Sequence, residues 1–456
     1  MRGLADLLLL ERNMTARAAT LRALVQFERG RGERIAELLQ HEQLEPRERA
    51  FASELTHGVL RNQRFLDAAL AVFAHRGLPD DQRLCSALRL GAYQLLLLGG
   101  VPARAAVHET VELVQHGKGF ANAVLRRLSE CVSDGEPDAK RPLHEFALLK
   151  GRLLKLSKPL LSDPSKLLAV RFSLPDFLVA RWQENHGKDA VTEIAAAASA
   201  VPAITLRPCR GVVAEDLAAK LTAAAVECAV DGAMVRWTGG ASPFGTAAFL
   251  EGFFVAQDPT AMRAALAVDA APGETIVDLC AAPGTKSTLL AERVGQAGRV
   301  LAWDIDVARR PRILENVQRL RLGDRLVVLD DAAKLPVATA DAVLVDVPCS
   351  NTGVLARRVE VRYRLRSGSF AQLAELQREL LKQALRCVKP GGRVVYSTCS
   401  IEPEENLDVV RSVLSNGVQL LSSELTLPAK HRHDGGFFAV LRAGLTTGIP
   451  SSGGRG

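Results

Sequence analysis

Two cysteines stand 50 residues apart, each closing a predicted strand inside a short polar motif. Cys349 lies in Asp346-Val347-Pro348-Cys349-Ser350 and Cys399 in Thr398-Cys399-Ser400. A thiolate, rather than a thiol, is the attacking form of cysteine. That chemistry suits a pyrimidine, because C5 of cytosine is a poor nucleophile until something adds at C6. Addition gives an enamine-like adduct that accepts a methyl group at C5. A base then removes the C5 proton and the enzyme is eliminated. A carboxyl group near N3 and the exocyclic amine orients the ring and stabilises the adduct. Asp346 precedes Cys349 by three residues, so one loop can present both, and Cys399 can enter the same pocket from the next strand. The residues alone leave open which thiol attacks. A Pro-Cys loop suits the nucleophile of DNA cytosine enzymes, whereas two loop cysteines suit the RNA type, the second assisting proton removal or release.

The methyl donor needs its own site. Asp278-Leu279-Cys280-Ala281-Ala282-Pro283-Gly284-Thr285-Lys286 reads as a strand, a glycine turn and a helix start. Gly284 permits close backbone approach, Pro283 restricts the turn, and the first helical N–H groups are free for a carboxylate or phosphate. A GxxxxGK[ST] phosphate loop is excluded by spelling, and GxGxxG is absent after this strand. Asp304 closes the second strand, where a carboxylate accepts from ribose hydroxyls, and Asp331 follows the third, within reach of an adenine amino group. One such aspartate is often a helix cap; three at successive strand ends favour a ligand. An adenosyl cofactor with an amino-acid end and no phosphates fits, which is S-adenosylmethionine. The expected cofactor set is Asp278, Cys280, Ala281, Ala282, Pro283, Gly284, Thr285, Lys286, Asp304, Arg309, Asp331 and Asp346. Cys280 is expected to be packed rather than reactive. No CxxC zinc spacing occurs, and no metal is required.

These loops must be carried by a larger frame. A chain of 456 residues implies two to four domains, and 48% hydrophobic content with mixed charge implies a soluble globular protein. The run Leu7-Leu8-Leu9-Leu10 stops at Glu11, too early for a secretory core, and Tyr93 to Leu98 is far short of a membrane span. Eight cysteines without a framework spacing suggest reduced thiols in the cytoplasm. Net charge is +7, and residues 351–400 carry 10 Lys/Arg against 3 Asp/Glu. Arg357, Arg358, Arg362, Arg364 and Arg366 follow Cys349 and suit a polyanion, with Tyr363 placed to hold flanking nucleotides.

Periodicity predicts helices through residues 14–130: Thr15 to Phe27, a helix opened by Pro46, Leu84 to Leu97, Ala105 to Gln115, and Phe120 to Leu128. Asn122 and Arg126 share one helix face, which suits either surface solvation or RNA. Ser133 to Asp138 reads as a linker. Residues 150–250 suggest a small α/β adapter, with a helix around Leu178 to Trp182, a strand Ala203 to Arg207, a helix through Leu217 to Ala225, and a strand near Val235. Beyond 252, strands at Thr275–Leu279, Arg299–Trp303, Arg325–Leu329, Ala342–Val345, Arg393–Ser397 and Phe438–Leu441 alternate with helices, including Gln372 to Cys387. That is an open, mostly parallel sheet. The tail from Gly444 is expected to be disordered.

Taken together these motifs resemble the RNA (cytosine-C5) methyltransferases of the NOL1/NOP2/Sun family, most closely its bacterial 16S ribosomal RNA branch. The resemblance covers nearly the whole chain. Ala106-Val107-His108-Glu109-Thr110-Val111 and Asn122-Ala123-Val124-Leu125-Arg126 resemble the NusB-type domain fused to that branch, Gln257-Asp258-Pro259 its segment before the cofactor turn, and Asp434-Gly435-Gly436-Phe437-Phe438 its closing strand. It implies a multidomain fold: a NusB-like helical RNA-binding domain at 1–135, linker helices and a small α/β RNA-recognition subdomain at 146–250, a Rossmann-like methyltransferase domain at 251–443 and the tail at 444–456. It further implies Cys399 as nucleophile, Cys349 as release cysteine, and Asp346 and Lys286 beside them in the pocket. Two departures stand out. The family's Pro-Gly-Gly-Lys is Pro283-Gly284-Thr285-Lys286, and its Arg-Arg-His-Pro-Asp is Arg357-Arg358-Val359-Glu360-Val361. The expected partner is 16S ribosomal RNA, unassembled or partly assembled, with no membrane. Other readings are a noncatalytic RNA-binding or ribosome-assembly protein that retains the pocket, and an enzyme acting on DNA. The target cytidine and the oligomeric state are not legible.

Overall fold

The computed structural model describes residues 15–30, 35–40, 42–414, 417–430 and 432–444. The leucine run 7–10 and residues 445–456 of the tail lie outside the described residues. The chain forms two compact units: residues 1–199 with 358–365, and residues 200–357 with 366–456.

Three helices of the first unit begin where a side chain or a proline deals with unpaired N–H groups. Thr15 accepts the Ala18 N–H to open Ala16–Arg29, and Asp81 accepts from Arg83 and Leu84 to open Gln82–Leu96. Pro46 heads Pro46–Ala71, where its missing N–H costs nothing. Leu55, Val59, Leu66 and Leu70 form that helix's buried stripe and join Phe27, Leu88 and Leu125 in one core. Ala103–Glu112 and Lys118–Glu130 complete the expected bundle; Asn122 is half-buried and Arg126 exposed.

One expectation gives way here. The stretch read as a linker contains β1 (Val132–Asp134), which pairs antiparallel with β3 (Arg152–Lys155); β3 also pairs with β2 (Glu145–Ala147). Strands of three or four residues are too short for an alternation signal. The helices Leu167–Arg171, Asp176–His186 and Lys188–Ala198 group with this first unit, whose compact limit in this stretch is Ser199.

Part of the arginine cluster also takes a different role. Arg362 is buried and donates to the carbonyls of Arg61, Phe172, Ser173 and Ala198. Tyr363 donates to the Leu60 carbonyl and meets Phe27 edge-on, ring centroids 5.4 Å apart. Five guanidinium donors can satisfy buried carbonyls as well as phosphates, and charge counting cannot tell the two uses apart. Tyr363 is therefore a packing residue, not a nucleotide platform. Arg364 and Arg366 remain exposed.

The second unit opens with a four-stranded antiparallel sheet of β4 (Ile204–Pro208), β5 (Val226–Asp231), β6 (Met234–Gly240) and β7 (Phe254–Ala256), in the order β5-β6-β4-β7. Leu206, Val235 and Phe254 bury its inner face against helix Ala214–Ala223. The main sheet follows with β8 (Thr275–Leu279), β9 (Arg299–Trp303), β10 (Leu326–Val328), β11 (Ala340–Asp346), β12 (Val388–Thr398), β13 (Gln419–Thr426) and β14 (Gly436–Arg442). Their order is β10-β9-β8-β11-β12-β14-β13. The first five run parallel, and β14 and β13 close the edge antiparallel. Central strands such as Ala342-Val343-Leu344-Val345 are buried on both faces, as expected of a parallel sheet covered by helices. All six predicted strands are present. β13 was not foreseen, because it is a largely exposed edge strand rich in polar residues.

Candidate active site

Strand order decides what meets what. Strand order reverses between the parallel neighbours β8 and β11, and ligands of open α/β sheets bind at the carboxyl ends beside that reversal. Leu279 pairs with Trp303 on one side and Val345 on the other, and Asp346 pairs with Ser397. The ends of β9, β8, β11 and β12 therefore form one rim carrying Asp304, the 278–286 turn, Asp346 and Cys399.

At its centre Lys286 donates to Asp346 at 2.6 Å. Burial alone would lower the Lys286 ammonium, but the Asp346 charge and hydrogen bond outweigh it and hold it above its ordinary range. Both residues line a cavity of about 70 Å³ that also takes in Cys399, Asp258, Asp434 and Phe437. Cys349 and Cys399 are free thiols with sulfurs 2.9 Å apart, and Cys399 Sγ lies 3.3 Å from the accepting Asn351 Oδ1. If Cys399 donates to Asn351, the proton between the sulfurs belongs to Cys349. That hydrogen bond, with burial behind it, pushes the Cys349 thiol well up. The Cys349 S–H is then directed at the Cys399 sulfur.

The cofactor turn is built by its own residues. Cys280 takes a left-handed φ of 63° and is buried, its thiol pushed up by burial, in keeping with a packed residue. Gly284, at φ 95°, lies against Ile313, where a Cβ would come within 3.0 Å, and it precedes helix Thr285–Val294. Asp278 is fully buried. Ser287 donates to its Oδ2 at 2.6 Å, its Oδ1 has no partner, and burial pushes the carboxyl up to about 7. Asp304 accepts the N–H groups of Ala282 and Asp306, each at 2.9 Å. Arg309 donates to the Ala282 carbonyl at 2.6 Å and lies 3.8 Å from Asp304. Asp304 and Arg309 thus brace the turn. Asp331 is exposed and accepts the Ala333 N–H, a capping role that a lone strand-end aspartate also fills.

Two groups at the rim went unrecognised in the sequence. Glu405, fully buried, accepts from Ser350, Ser400 and Gln377, so it touches the residue after each cysteine. Its place in Pro403-Glu404-Glu405-Asn406, just past Cys399, was the available signal. Arg357, assigned to phosphate by charge, instead joins Asp434 at 2.6 Å and Asp258 at 3.2 Å, tying together the two segments that carried the resemblance.

Fold and rim define a class, a doubly wound α/β methyltransferase domain following a NusB-type helical bundle. The chain belongs to the 16S rRNA methyltransferase RsmB/F family, whose model matches residues 265–442, while the NusB family model matches residues 14–130. It is 32% identical over 440 residues to the probable ribosomal RNA small subunit methyltransferase B of Synechocystis sp., covering 89% of this chain and 93% of the relative. It is 33% identical over 452 residues to ribosomal RNA small subunit methyltransferase B of Vibrio cholerae, covering 94% and 97%. Among solved structures, PH0851 superposes with a TM-score of 0.71 at 24% identity, over 94% of this chain and 99% of that one. NSun6 from Pyrococcus horikoshii with SFG superposes with a TM-score of 0.54 at 20% identity, over 60% and 98%. At these identities the two structures share the fold. The resemblance read from the motifs is borne out. Among the described residues, no helix is long and apolar enough to cross a membrane.

Proposed function

We propose that this chain methylates C5 of a cytidine in 16S ribosomal RNA through a covalent bond between Cys399 and C6, with S-adenosylmethionine as donor. The observation that carries the reading is positional: Cys399 lines the cavity with Lys286 and Asp346, and Cys349 stands against its sulfur as a proton-holding thiol. The family's description suggests the 16S ribosomal RNA, and the relatives' names the small-subunit ribosomal RNA.

The donor's site is tested by Asp278. A carboxylate oxygen buried without a partner, next to a helix N-terminus, matches an ammonium and a carboxylate on one ligand. Asp278 and the helix start at Thr285 would hold the amino-acid end of S-adenosylmethionine, which supplies an electrophilic methyl group when bound. The protein's own residues do the rest. Asp346 accepts from the exocyclic amine while the Lys286 ammonium donates to the ring. The Cys399 thiolate would form the S–C6 bond, with the C5=C6 electron pair moving to C5; the C5–methyl bond would then form as the donor's sulfonium S–CH₃ bond breaks, its electron pair leaving on the thioether sulfur. Loss of the C5 proton to a base restores the double bond as the S–C6 bond breaks, returning the Cys399 thiolate. Cys349 assists proton removal or release. The target base must first leave its stack, which is cheapest in single-stranded or distorted RNA.

Cys349→Ala, incubated with S-adenosylmethionine and a cytidine-bearing 16S transcript, should accumulate a covalent protein–RNA complex on a denaturing gel, and Cys399→Ala should not. The opposite pattern would exchange the two roles. Wild-type protein that releases no tritium from C5-labelled transcript would count against the chemistry itself.

A further inference from the structure

We infer that Glu405 is a positioning residue whose carboxylate ties the Cys349 loop to the Cys399 loop and thereby sets how fast the Cys399–RNA adduct is resolved. The inference rests on the reading of Cys399 as attacking thiol and Cys349 as its release partner. Glu405 is fully buried and does not line the cavity, so it is not placed to touch a base. Its Oε1 accepts the Ser350 backbone N–H at 2.9 Å and the Gln377 side-chain amide at 3.0 Å. Its Oε2 accepts the Ser350 hydroxyl and, at 2.5 Å, the Ser400 hydroxyl. Ser350 directly follows Cys349, and Ser400 directly follows Cys399. Gln377, from helix Ser369–Cys387, also donates to the Pro348 carbonyl at 2.9 Å, which braces the residue before Cys349. One carboxylate therefore holds both cysteine loops by the neighbouring serines.

The arrangement requires an acceptor on both sides. Four donors converge on two oxygens, and an ionised carboxylate is the side chain that accepts at both and donates at neither. Glutamine has an NH₂ on one side. Turned toward Oε1, the NH₂ would face two N–H donors, so it must point at the hydroxyls; these then accept from it and must turn their own protons elsewhere, onto each other at 3.1 Å or onto Thr352, and the charge-assisted tie between Ser350 and Ser400 is weakened. The Ser350 N–H and Gln377 contacts persist, so the Cys349 loop stays in place but is held less firmly against Cys399, while Lys286 and Asp346 keep their own pair. Attack persists in that state, and resolution slows.

The experiment compares wild type, Cys349→Ala, Glu405→Gln and Ser350→Ala with S-adenosylmethionine and a 16S transcript, reading covalent complex, turnover, KM for RNA and melting temperature. Glu405→Gln and Ser350→Ala should each hold about tenfold more complex than wild type and turn over about tenfold more slowly, with KM and melting temperature little changed. Wild-type levels of complex in both, or complex and turnover lost together in step with melting temperature, would overturn the inference. Should Glu405→Gln fail to fold, Ser350→Ala decides, since it removes one hydroxyl and leaves the carboxylate. Complex in Cys349→Ala but in neither other variant sinks only the Glu405 role. Its absence from Cys349→Ala overturns the two-cysteine reading and this inference with it.

Discussion

Replacing Asp346 by asparagine keeps the shape of the cavity floor and removes its negative charge. Its partner Lys286 lies 2.6 Å away, with side chains 31% and 14% exposed respectively. Unit charges at that distance attract by about 6 kcal/mol at an effective dielectric of ~20 and by about 1.6 kcal/mol in water. Partial exposure places the pair between a surface ion pair, worth about 0–1 kcal/mol, and a buried one, whose rupture costs about 3–5 kcal/mol. We expect a stability loss of roughly 2–3 kcal/mol at neutral pH. The loss has a pH signature. In wild type the Lys286 ammonium is held above its ordinary range, a contribution fully present below the unfolded lysine value and lost as pH rises through the folded one. Without Asp346, burial leads, and the folded value falls below the unfolded one. The variant therefore gains stability relative to wild type as pH climbs from about 7 to about 10. Thermal melts across that range test the sign, and single-turnover methyl transfer tests the chemistry, with a loss of about 10²–10³-fold expected from the missing ring-orienting group. A melting-temperature gap that widens with pH, or a rate within a few fold of wild type, would refute the assignment.

Two further substitutions probe the rim. Gly353→Ala would set a Cβ 2.6 Å from the Gly435 backbone and 2.9 Å from the Cys399 carbonyl oxygen, contacts that no side-chain rotation relieves. It should cost about 1–3 kcal/mol of stability and slow methyl transfer by at least about tenfold, because the Cys399 loop must move; melts and rates both near wild type would contradict the contact. Arg357→Ala leaves Asp434 and Asp258 facing each other without their shared cation. Burial already pushes the Asp434 carboxyl up to about 6, with Arg357 opposing, so its removal drives that value higher. A carboxyl raised on folding loses stability as pH rises from its unfolded value toward its folded one. The melting deficit of Arg357→Ala should therefore be smaller at about pH 5 than at about pH 8, where it should reach about 2–4 kcal/mol. An equal deficit at both would show that the carboxylates do not couple through Arg357.

The strands around the site were legible because their signal is local. Thr275–Leu279 and Arg299–Trp303 have the boundaries that apolar runs between turns suggested, and Asp278, Asp304 and Asp346 lie at the carboxyl ends of β8, β9 and β11 as spacing suggested. Cysteines placed just after adjacent strands, with Asp346 three residues before one of them, were similarly readable from spacing. What stayed hidden depends on partners distant in the chain. Glu405 meets Ser350 across 55 residues, and Arg362 meets the Arg61 carbonyl across 301. A buried carboxylate and a surface one, or a carbonyl-capping arginine and a phosphate-binding one, are spelled alike. Only the path of the chain distinguishes them.

That distinction changes how positive charge near the cysteines should be understood. Two arginines of the 357–366 cluster are consumed inside the protein: Arg357 by two carboxylates at the cavity wall and Arg362 by four carbonyls. Neither can release a counterion from RNA, so neither contributes to the salt dependence of binding. Lys286, largely buried at the cavity and paired with Asp346, is likewise already engaged. On the proposed reading, the Lys286–Asp346 pair presents one donor and one acceptor to a neutral ring, and phosphate attraction comes from other surface cations. Substitutions at exposed cations such as Arg364 and Arg366 should then change affinity for RNA and leave the single-turnover rate largely intact.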